Sequence, residues 1–211
     1  IIKLKNMKRI IQKHFSEIKK ILNDSDHFIE DIEKISLFLK KKIKKKNKVY
    51  VYGNGGSFAD ASHFVGELTA TYSSKKRKSL PFMLLGSNLA ALTGWSNDFK
   101  FENYVVREFA ANVKKNDVLF LFSTSGSNFK KKQSINLIKL AKFAKSRKIP
   151  VISLLGKGGG VLKKISSKYI IINSYNTGSI QEAHKIIFHS ICETFENFKW
   201  LYQKHLLEYR L

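Results

Sequence analysis

Two helical segments of the sequence carry side chains that could move protons or hold a metal. His63 and Glu67 are four residues apart in a predicted helix, 57–71, so they share a face. Gln181 and His189 are eight residues apart in a later predicted helix, 179–205, which is a looser match to one face. A glutamate and a histidine brought together can act as base and acid. Spacing alone fits equally a surface pair and a packed core histidine.

The same four side chains form a possible ligand set for a divalent ion. Imidazole nitrogen and carboxylate oxygen are ordinary ligands for zinc, whereas glutamine is an uncommon fourth ligand. The spacing therefore permits a metal site without favouring it over proton transfer.

Three loops follow apolar runs and could approach an anion. The first is G53-N54-G55-G56-S57, the second is S123-T124-S125-G126-S127-N128, and the third is G156-K157-G158-G159-G160. Glycine lets the backbone approach a ligand, and a following helix N-terminus offers unpaired amides to a phosphate. Each loop taken alone could be a turn. The chain has neither a GxGxxG fingerprint with its following acid nor a GxxxxGK[ST] motif, so neither a dinucleotide nor a nucleoside triphosphate is indicated.

The elements that would position these loops alternate along the chain. Two amphipathic helices are predicted at 7–22 and 27–46. Short apolar runs then predict strands at 49–52, 82–85, 118–122, 151–155 and 169–172. Between and after them, helices are predicted at 57–71, 88–95, 101–111, 129–147, 160–166 and 179–205. Strands that are apolar on both faces and joined by helices indicate an α/β fold with a central parallel sheet.

The charge and the cysteine content limit the class of protein. The formal net charge is +23, from 39 Lys and Arg residues against 16 Asp and Glu, yet only five of the basic residues are Arg. Readers of nucleic acid usually recruit Arg, so we interpret the excess as a solvated lysine coat and do not expect a nucleic-acid partner. The single cysteine, Cys192, excludes an internal disulfide, fits a reducing compartment and is expected to be a small core residue. No apolar run approaches the length of a membrane span, so we expect a cytoplasmic protein.

The motifs taken together resemble the phosphoheptose isomerase family, whose members are sugar isomerase (SIS) domain proteins. The resemblance runs from about residue 7 to 196 with the motifs in family order. It is carried by the first two loops and the glycine-rich third loop, together with D60-A61, H63-F64, E67-L68-T69, N97-D98-F99, I180-Q181-E182-A183-H184 and H189.

The resemblance implies a flavodoxin-like three-layer sandwich (the SIS fold) with an N-terminal helical extension, assembled as a homotetramer. The domain boundaries expected on this basis are N-terminal helices at 1–47, an SIS domain at 48–196 and a C-terminal helical extension at 197–211. The implied activity converts sedoheptulose 7-phosphate to D-glycero-D-manno-heptose 7-phosphate, which feeds heptose synthesis for lipopolysaccharide or capsule.

Residue by residue, the resemblance assigns roles at matching positions. Glu67 and His189 match the catalytic pair. The zinc ligands of zinc-containing members match His63, Glu67, Gln181 and His189. The positions that match substrate contacts are Asn54, Gly55, Gly56, Ser57, Asn97, Asp98, Ser123, Thr124, Ser125, Asn128 and Gln181.

Three departures from the family pattern bear on the choice of sugar. Asn128 stands where a substrate-binding serine is common, Thr71 replaces an arginine, and Gly178 occupies a position that is commonly acidic. An isomerase for another sugar phosphate is therefore one alternative. A second is a non-catalytic SIS protein that binds a replication-initiation protein or another partner, although such relatives lack the Glu and His that this chain keeps. A regulatory phosphosugar sensor is ranked last, because residues 1–47 do not resemble a helix-turn-helix.

Overall fold

The computed structural model describes residues 2–128 and 130–197, with side chains from residue 6 onward. Within these residues the chain forms a five-stranded sheet covered by helices. The strands are β1 (Val49–Tyr52), β2 (Phe82–Leu84), β3 (Val118–Ser123), β4 (Val151–Gly156) and β5 (Lys168–Ile172). The helices are α1 (Ile2–Asn23), α2 (Asp26–Lys44), α3 (Gly56–Thr69), α4 (Leu89–Asp98), α5 (Phe101–Asn112), α6 (Ile135–Ser146), α7 (Gly160–Ile165) and α8 (Thr177–Glu196).

All strand pairs in the sheet are parallel, and the strand order is β2-β1-β3-β4-β5. This is the flavodoxin-like order, in which the chain turns in opposite directions on leaving β1 and β3. Both β1 and β3 are buried along their whole length, as expected for strands covered on both faces. The predicted α/β fold is confirmed.

Two apolar cores lie on opposite faces of the sheet and define the three layers. One core packs α2, α3 and α8 against the sheet, and Phe64 and Phe188 are fully buried in it. The other packs α5, α6 and α7 on the opposite face, around residues such as Phe109 and Leu140. Cys192 is buried in the first core, which confirms that it is a core residue.

The two N-terminal helices differ in how they pack. Helix α2 contributes Ile35 and Leu39 to the same core as α3 and α8, so it is integral to that layer. Helix α1 leaves a row of apolar side chains exposed on its surface, namely Met7, Ile10, Ile11 and Phe15. Among the helices within residues 2–128 and 130–197, none combines the length and the apolar character needed to span a bilayer.

The starts of two helices were predicted wrongly. Helix α1 was expected to begin at residue 7 but begins at Ile2. Helix α6 was expected to begin at residue 129 but begins at Ile135. The preceding residues form a small closed loop in which the backbone amides and carbonyls of Asn128 and Gln133 bond to each other at 3.1 and 2.9 Å. Lys132 and Ser134 have positive φ angles of 50° and 53°, which no α-helix accommodates. The predicted continuation of α8 to residue 205 and the extension 197–211 lie outside the described residues, apart from Asn197.

Candidate active site

The first two loops begin on neighbouring strands at the centre of the sheet. Tyr52 at the end of β1 pairs with Leu121 of β3, so the loops that start at Gly53 and Ser123 leave the same sheet edge side by side. In an open parallel sheet, the crevice between two strands whose connections turn opposite ways is where ligands bind. The fold therefore places two of the sequence-predicted loops at its most favourable ligand position.

Three of the side chains predicted to act in proton transfer or metal binding lie close together on α3 and α8. His63 Nε2 lies 2.9 Å from Glu67 Oε1, as the i,i+4 spacing on α3 predicted. The His189 ring reaches the same point from α8, with its centroid 5.0 Å from that of His63. One ligand atom from each of the three residues can be chosen so that all lie within 4.8 Å of one another. The structure thus joins side chains that are more than 120 residues apart in sequence.

Aromatic side chains surround the His189 ring and shape its chemistry. Phe188 touches both histidines, with ring centroids 5.3 Å from His63 and 4.5 Å from His189. Tyr72 stacks on the His189 ring. Burial and then the neighbouring His63 lower the pKa of His189, while the Glu67 carboxylate opposes the shift. A neutral imidazole, with one N–H donor and one free nitrogen, is therefore the favoured form near neutral pH.

Gln181 reaches the first loop through a close approach that requires glycine. A Cβ atom on Gly56 would lie 2.2 Å from Gln181 Nε2, so no larger residue fits without moving the amide. Gly56 begins α3, the helix that carries His63 and Glu67. The bare backbone of the first loop thus lets α8 place a polar group against the start of α3.

Asn54 is held by a residue that the sequence analysis missed. The Asn54 and Asn136 amides bond to each other in both directions, at 2.9 and 2.8 Å, and Asn136 Nδ2 also donates to Tyr52 Oη at 3.0 Å. Asn136 is buried on the inward face of α6. A polar residue inside the apolar run of that helix was the available signal.

The third loop supports the second loop through backbone packing. Gly126 has φ +64°, and a Cβ there would lie 2.1 Å from the carbonyl carbon of Gly159. The first amides of α7 are used by the second loop, since Val161 N donates to Ser127 O at 3.2 Å and Leu162 N to Gly126 O at 3.0 Å. These amides are consequently unavailable to an anion, and the third glycine-rich loop is a packing element.

The other predicted substrate contacts lie in different environments. In the second loop Ser123 is buried, whereas Thr124, Ser125 and Asn128 are half-buried. In the first loop Gly55 and Gly56 are exposed, and Ser57 is buried. Asn97 and Asp98 are exposed at the end of α4, where Asn97 Nδ2 donates to Asp98 Oδ1 at 2.8 Å.

Two departures from the family pattern are also placed by the structure. Thr71 lies in the segment that follows α3, and Gly178 lies in the first turn of α8, where its amide donates to Asn176 Oδ1 at 2.9 Å. Both positions adjoin helices that carry the three clustered side chains.

A buried carboxylate near the cluster also escaped the sequence analysis. Asp60 is 3 % exposed on α3, one turn before His63, and its Oδ2 atom has no hydrogen-bond partner among the described residues. Burial raises its pKa to about 6, a shift that the charge of Lys185 opposes and that of Glu182 reinforces. Nothing in the residue type alone distinguished this aspartate from a surface carboxylate.

His184 is a structural histidine, and its burial predicts a pH dependence of stability. It is fully buried, its Nε2–H donates to Leu155 O at 3.3 Å, and burial lowers its pKa to about 4. Between pH 6.5 and about pH 4, the His184 side chain is protonated in the unfolded chain but neutral in the folded chain. Protonation therefore favours the unfolded chain, and the free energy of unfolding falls as the pH falls through that window. We expect wild type to lose up to about 1.4 kcal/mol of unfolding free energy per pH unit there from this site.

Urea unfolding between pH 7 and pH 4 measures that slope. The His184→Asn variant should show a shallower dependence than wild type, whereas a matched variant at the exposed His27, His27→Asn, should keep the wild-type slope. Identical slopes for wild type and His184→Asn would contradict the assignment.

Comparisons with known proteins agree with this geometry. The family described as SIS domain matches residues 13–156. A phosphoheptose isomerase of Campylobacter jejuni is 35 % identical over 190 residues, covering 90 % of this chain and 98 % of that protein. One from Helicobacter pylori is 35 % identical and covers 89 % and 94 %. The solved structure of phosphoheptose isomerase from Neisseria gonorrhoeae superposes with a TM-score of 0.81 at 26 % identity, covering 91 % of this chain and all of that one.

Proposed function

Because this chain belongs to the phosphoheptose isomerase family of SIS domain proteins, we propose that it interconverts sedoheptulose 7-phosphate and D-glycero-D-manno-heptose 7-phosphate. The observation that carries the proposal is the meeting of His63, Glu67 and His189 in one cluster. The product would supply heptose for surface polysaccharide, either lipopolysaccharide or capsule. A cytoplasmic location stays a prediction from the single free cysteine.

The proposed reaction is a proton transfer between adjacent carbons of an open-chain sugar. Glu67, as a carboxylate, removes a proton from C1 of the ketose, and His189 donates its N–H proton to the carbonyl oxygen at C2, giving an enediol. Glu67, whose side chain is 24 % exposed, exchanges that proton with solvent and protonates C2, while His189 recovers a proton from the C1 hydroxyl and the aldehyde forms. The 2.9 Å bond from His63 orients the Glu67 carboxylate for this role.

The clustered residues also fit a zinc ion by the chemistry of their donors. Two imidazoles and a carboxylate are an ordinary set for zinc, and their ligand atoms are already within 4.8 Å of one another. His63, Glu67 and His189 would hold the ion, with the Gln181 amide oxygen as a proposed fourth ligand. When bound, zinc polarises a carbonyl and stabilises the negative charge that develops on its oxygen.

The substrate's phosphate would bind at the sheet edge formed by the first two loops. Ser123, Thr124 and Ser125 supply hydroxyls and amides next to Asn54, Gly55 and Gly56, without a charged side chain. The proposed contacts at Ser57, Asn97, Asp98 and Asn128 would complete the sugar site. Asn97 and Asp98 lie exposed on α4, so they would contact the substrate from the α4 side of the site.

A homotetramer is proposed for the assembly. The exposed apolar row of α1, from Met7 to Phe15, is the kind of surface that monomers rarely leave in water. Sedimentation equilibrium tests the proposal, and a species at the single-chain mass of 24.3 kDa would contradict it.

Product analysis by NMR tests the proposed activity. The purified protein is incubated with sedoheptulose 7-phosphate and, separately, with ketose phosphates of other chain lengths. We expect the heptose to be converted with the highest kcat/KM. A faster conversion of another sugar would favour the alternative isomerase, for which the closed loop between Asn128 and Gln133 is the supporting feature. No conversion of any sugar would favour the non-catalytic binding protein.

A further inference from the structure

The segment of residues 70–77 follows α3 and contacts both helices that carry the clustered side chains. It leaves α3 three residues after Glu67 and runs across to α8. Its Tyr72 ring stacks on the His189 ring, with centroids 5.9 Å apart and an interplanar angle of 30°. Its Ser74 amide donates to Glu196 Oε2 at 3.0 Å. We call this segment the strap.

Arg77 fixes the end of the strap to both helices. Its side chain is fully buried, and its Nε donates to Glu196 Oε1 at 2.6 Å. Its Nη2 donates to the carbonyl oxygen of Glu67 at 2.5 Å and its Nη1 to that of Leu68 at 2.9 Å. Carbonyls in the last turn of a helix lack intrahelical partners, so the guanidinium caps the turn from which Glu67 projects. Glu196 lies seven residues after His189, on the same face of α8.

Tyr72 is the second aromatic neighbour of the His189 imidazole besides Phe188. Its hydroxyl interacts with Glu193, one turn after His189 on α8, so the ring is held at its tip as well as by its neighbours. Burial and then this carboxylate raise the pKa of Tyr72 to about 12, which keeps the hydroxyl a proton donor under all ordinary conditions. We expect this ring to oppose rotation of the His189 imidazole.

We propose that the strap positions the reacting pair, with Tyr72 holding the ring of His189 and Arg77 holding the backbone of Glu67. The proposal rests on the function proposed above and adds to it two positioning residues that do not touch the reacting atoms. Misplacing a catalytic group by about 1 Å can cost about 100-fold in rate without weakening substrate binding. The strap should therefore act on kcat more than on KM.

Three strap variants and one control test the proposal by steady-state kinetics. Tyr72→Leu removes the flat ring and should lower kcat about 10- to 100-fold while KM changes less than about threefold. Tyr72→Phe keeps the ring and should retain most of the wild-type kcat. Arg77→Lys keeps the charge but cannot bond two carbonyls and a carboxylate together, so it should resemble Tyr72→Leu. Lys75→Ala, an exposed strap position, should match wild type.

The His189→Asn background separates positioning from general damage to the fold. Because Tyr72 acts through His189, adding Tyr72→Leu to His189→Asn should cause little further loss of kcat. The same loss in both backgrounds, or a Tyr72→Leu enzyme with wild-type kcat, would overturn the proposal. Circular dichroism at the assay temperature confirms that each variant is folded. Wild-type turnover by His189→Asn alone would instead refute the proposed role of His189, and the strap proposal with it.

Discussion

Replacing Glu67 with glutamine is expected to lower kcat by about 10²- to 10⁴-fold. The amide keeps the shape of the side chain but cannot accept a proton from carbon. It can still bond to His63, whose Nε2 now lies 2.9 Å from the carboxylate, so the local structure should persist. Steady-state turnover of sedoheptulose 7-phosphate measures the effect, and thermal unfolding confirms that the variant is folded.

A carboxylate elsewhere on the surface provides the matched control for this variant. Glu30 is exposed on α2 and accepts a bond from the neighbouring Lys34 at 3.1 Å, so Glu30→Gln should leave kcat unchanged. A Glu67→Gln enzyme within about threefold of wild type would refute proton transfer by Glu67, because loss of a general base costs at least about 100-fold.

Removing divalent metal is expected to have the second largest effect. Dialysis against a chelator should lower kcat by about 100-fold or more, and added zinc should restore it, since charge stabilisation by a metal is worth several kcal/mol. His63→Asn should bind less zinc per chain than wild type, because His63 provides one of the three clustered ligand atoms.

Metal content read by elemental analysis distinguishes this outcome from a metal-free reaction. His27→Asn, a change at an exposed position on α2, should bind as much zinc as wild type. Full activity in protein shown to be free of metal would contradict a role for zinc and leave Glu67 and His189 as the whole of the proposed machinery.

The local part of this site could be predicted from sequence because it depends on spacing within one element. His63 and Glu67 are joined by the geometry of a single helix turn, and the i,i+4 rule places them together before any tertiary structure is known. The strands at 49–52 and 118–122 could also be predicted, because continuous β-branched and aromatic runs bounded by Gly or Ser indicate buried parallel strands.

The long-range part could not be predicted from spacing, because packing decides it. His189 joins the cluster only because α3 and α8 lie side by side on one face of the sheet, and the motif resemblance, not the spacing, indicated it. Neither Arg77 nor Tyr72 could be recognised from the sequence. An arginine among lysines is typical of a charged surface, yet the Arg77 side chain is fully buried. Asp60 was missed because its residue type does not distinguish it from a surface carboxylate, and Asn136 because its only signal was a polar residue inside an apolar run.

Glycine-rich loops illustrate how one sequence signal can have two physical causes. Gly56 lies where the first loop meets Gln181, close to the proposed chemistry. Gly126 and Gly159 are required because two loops pack backbone against backbone, and a Cβ on Gly126 would lie 2.1 Å from a carbonyl carbon. Similar composition thus marks a candidate binding loop in one case and a packing contact in the other, and only the tertiary structure separates them.

Solvent deuterium incorporation tests the transfer of a proton through Glu67 most directly. Wild-type enzyme and sedoheptulose 7-phosphate are equilibrated in D₂O, and the product is examined by NMR at C2. We predict deuterium at C2 with wild type and the Glu30→Gln control, and none above background with folded Glu67→Gln. Deuterium that enters C2 as fast in folded Glu67→Gln as in wild type would contradict the account.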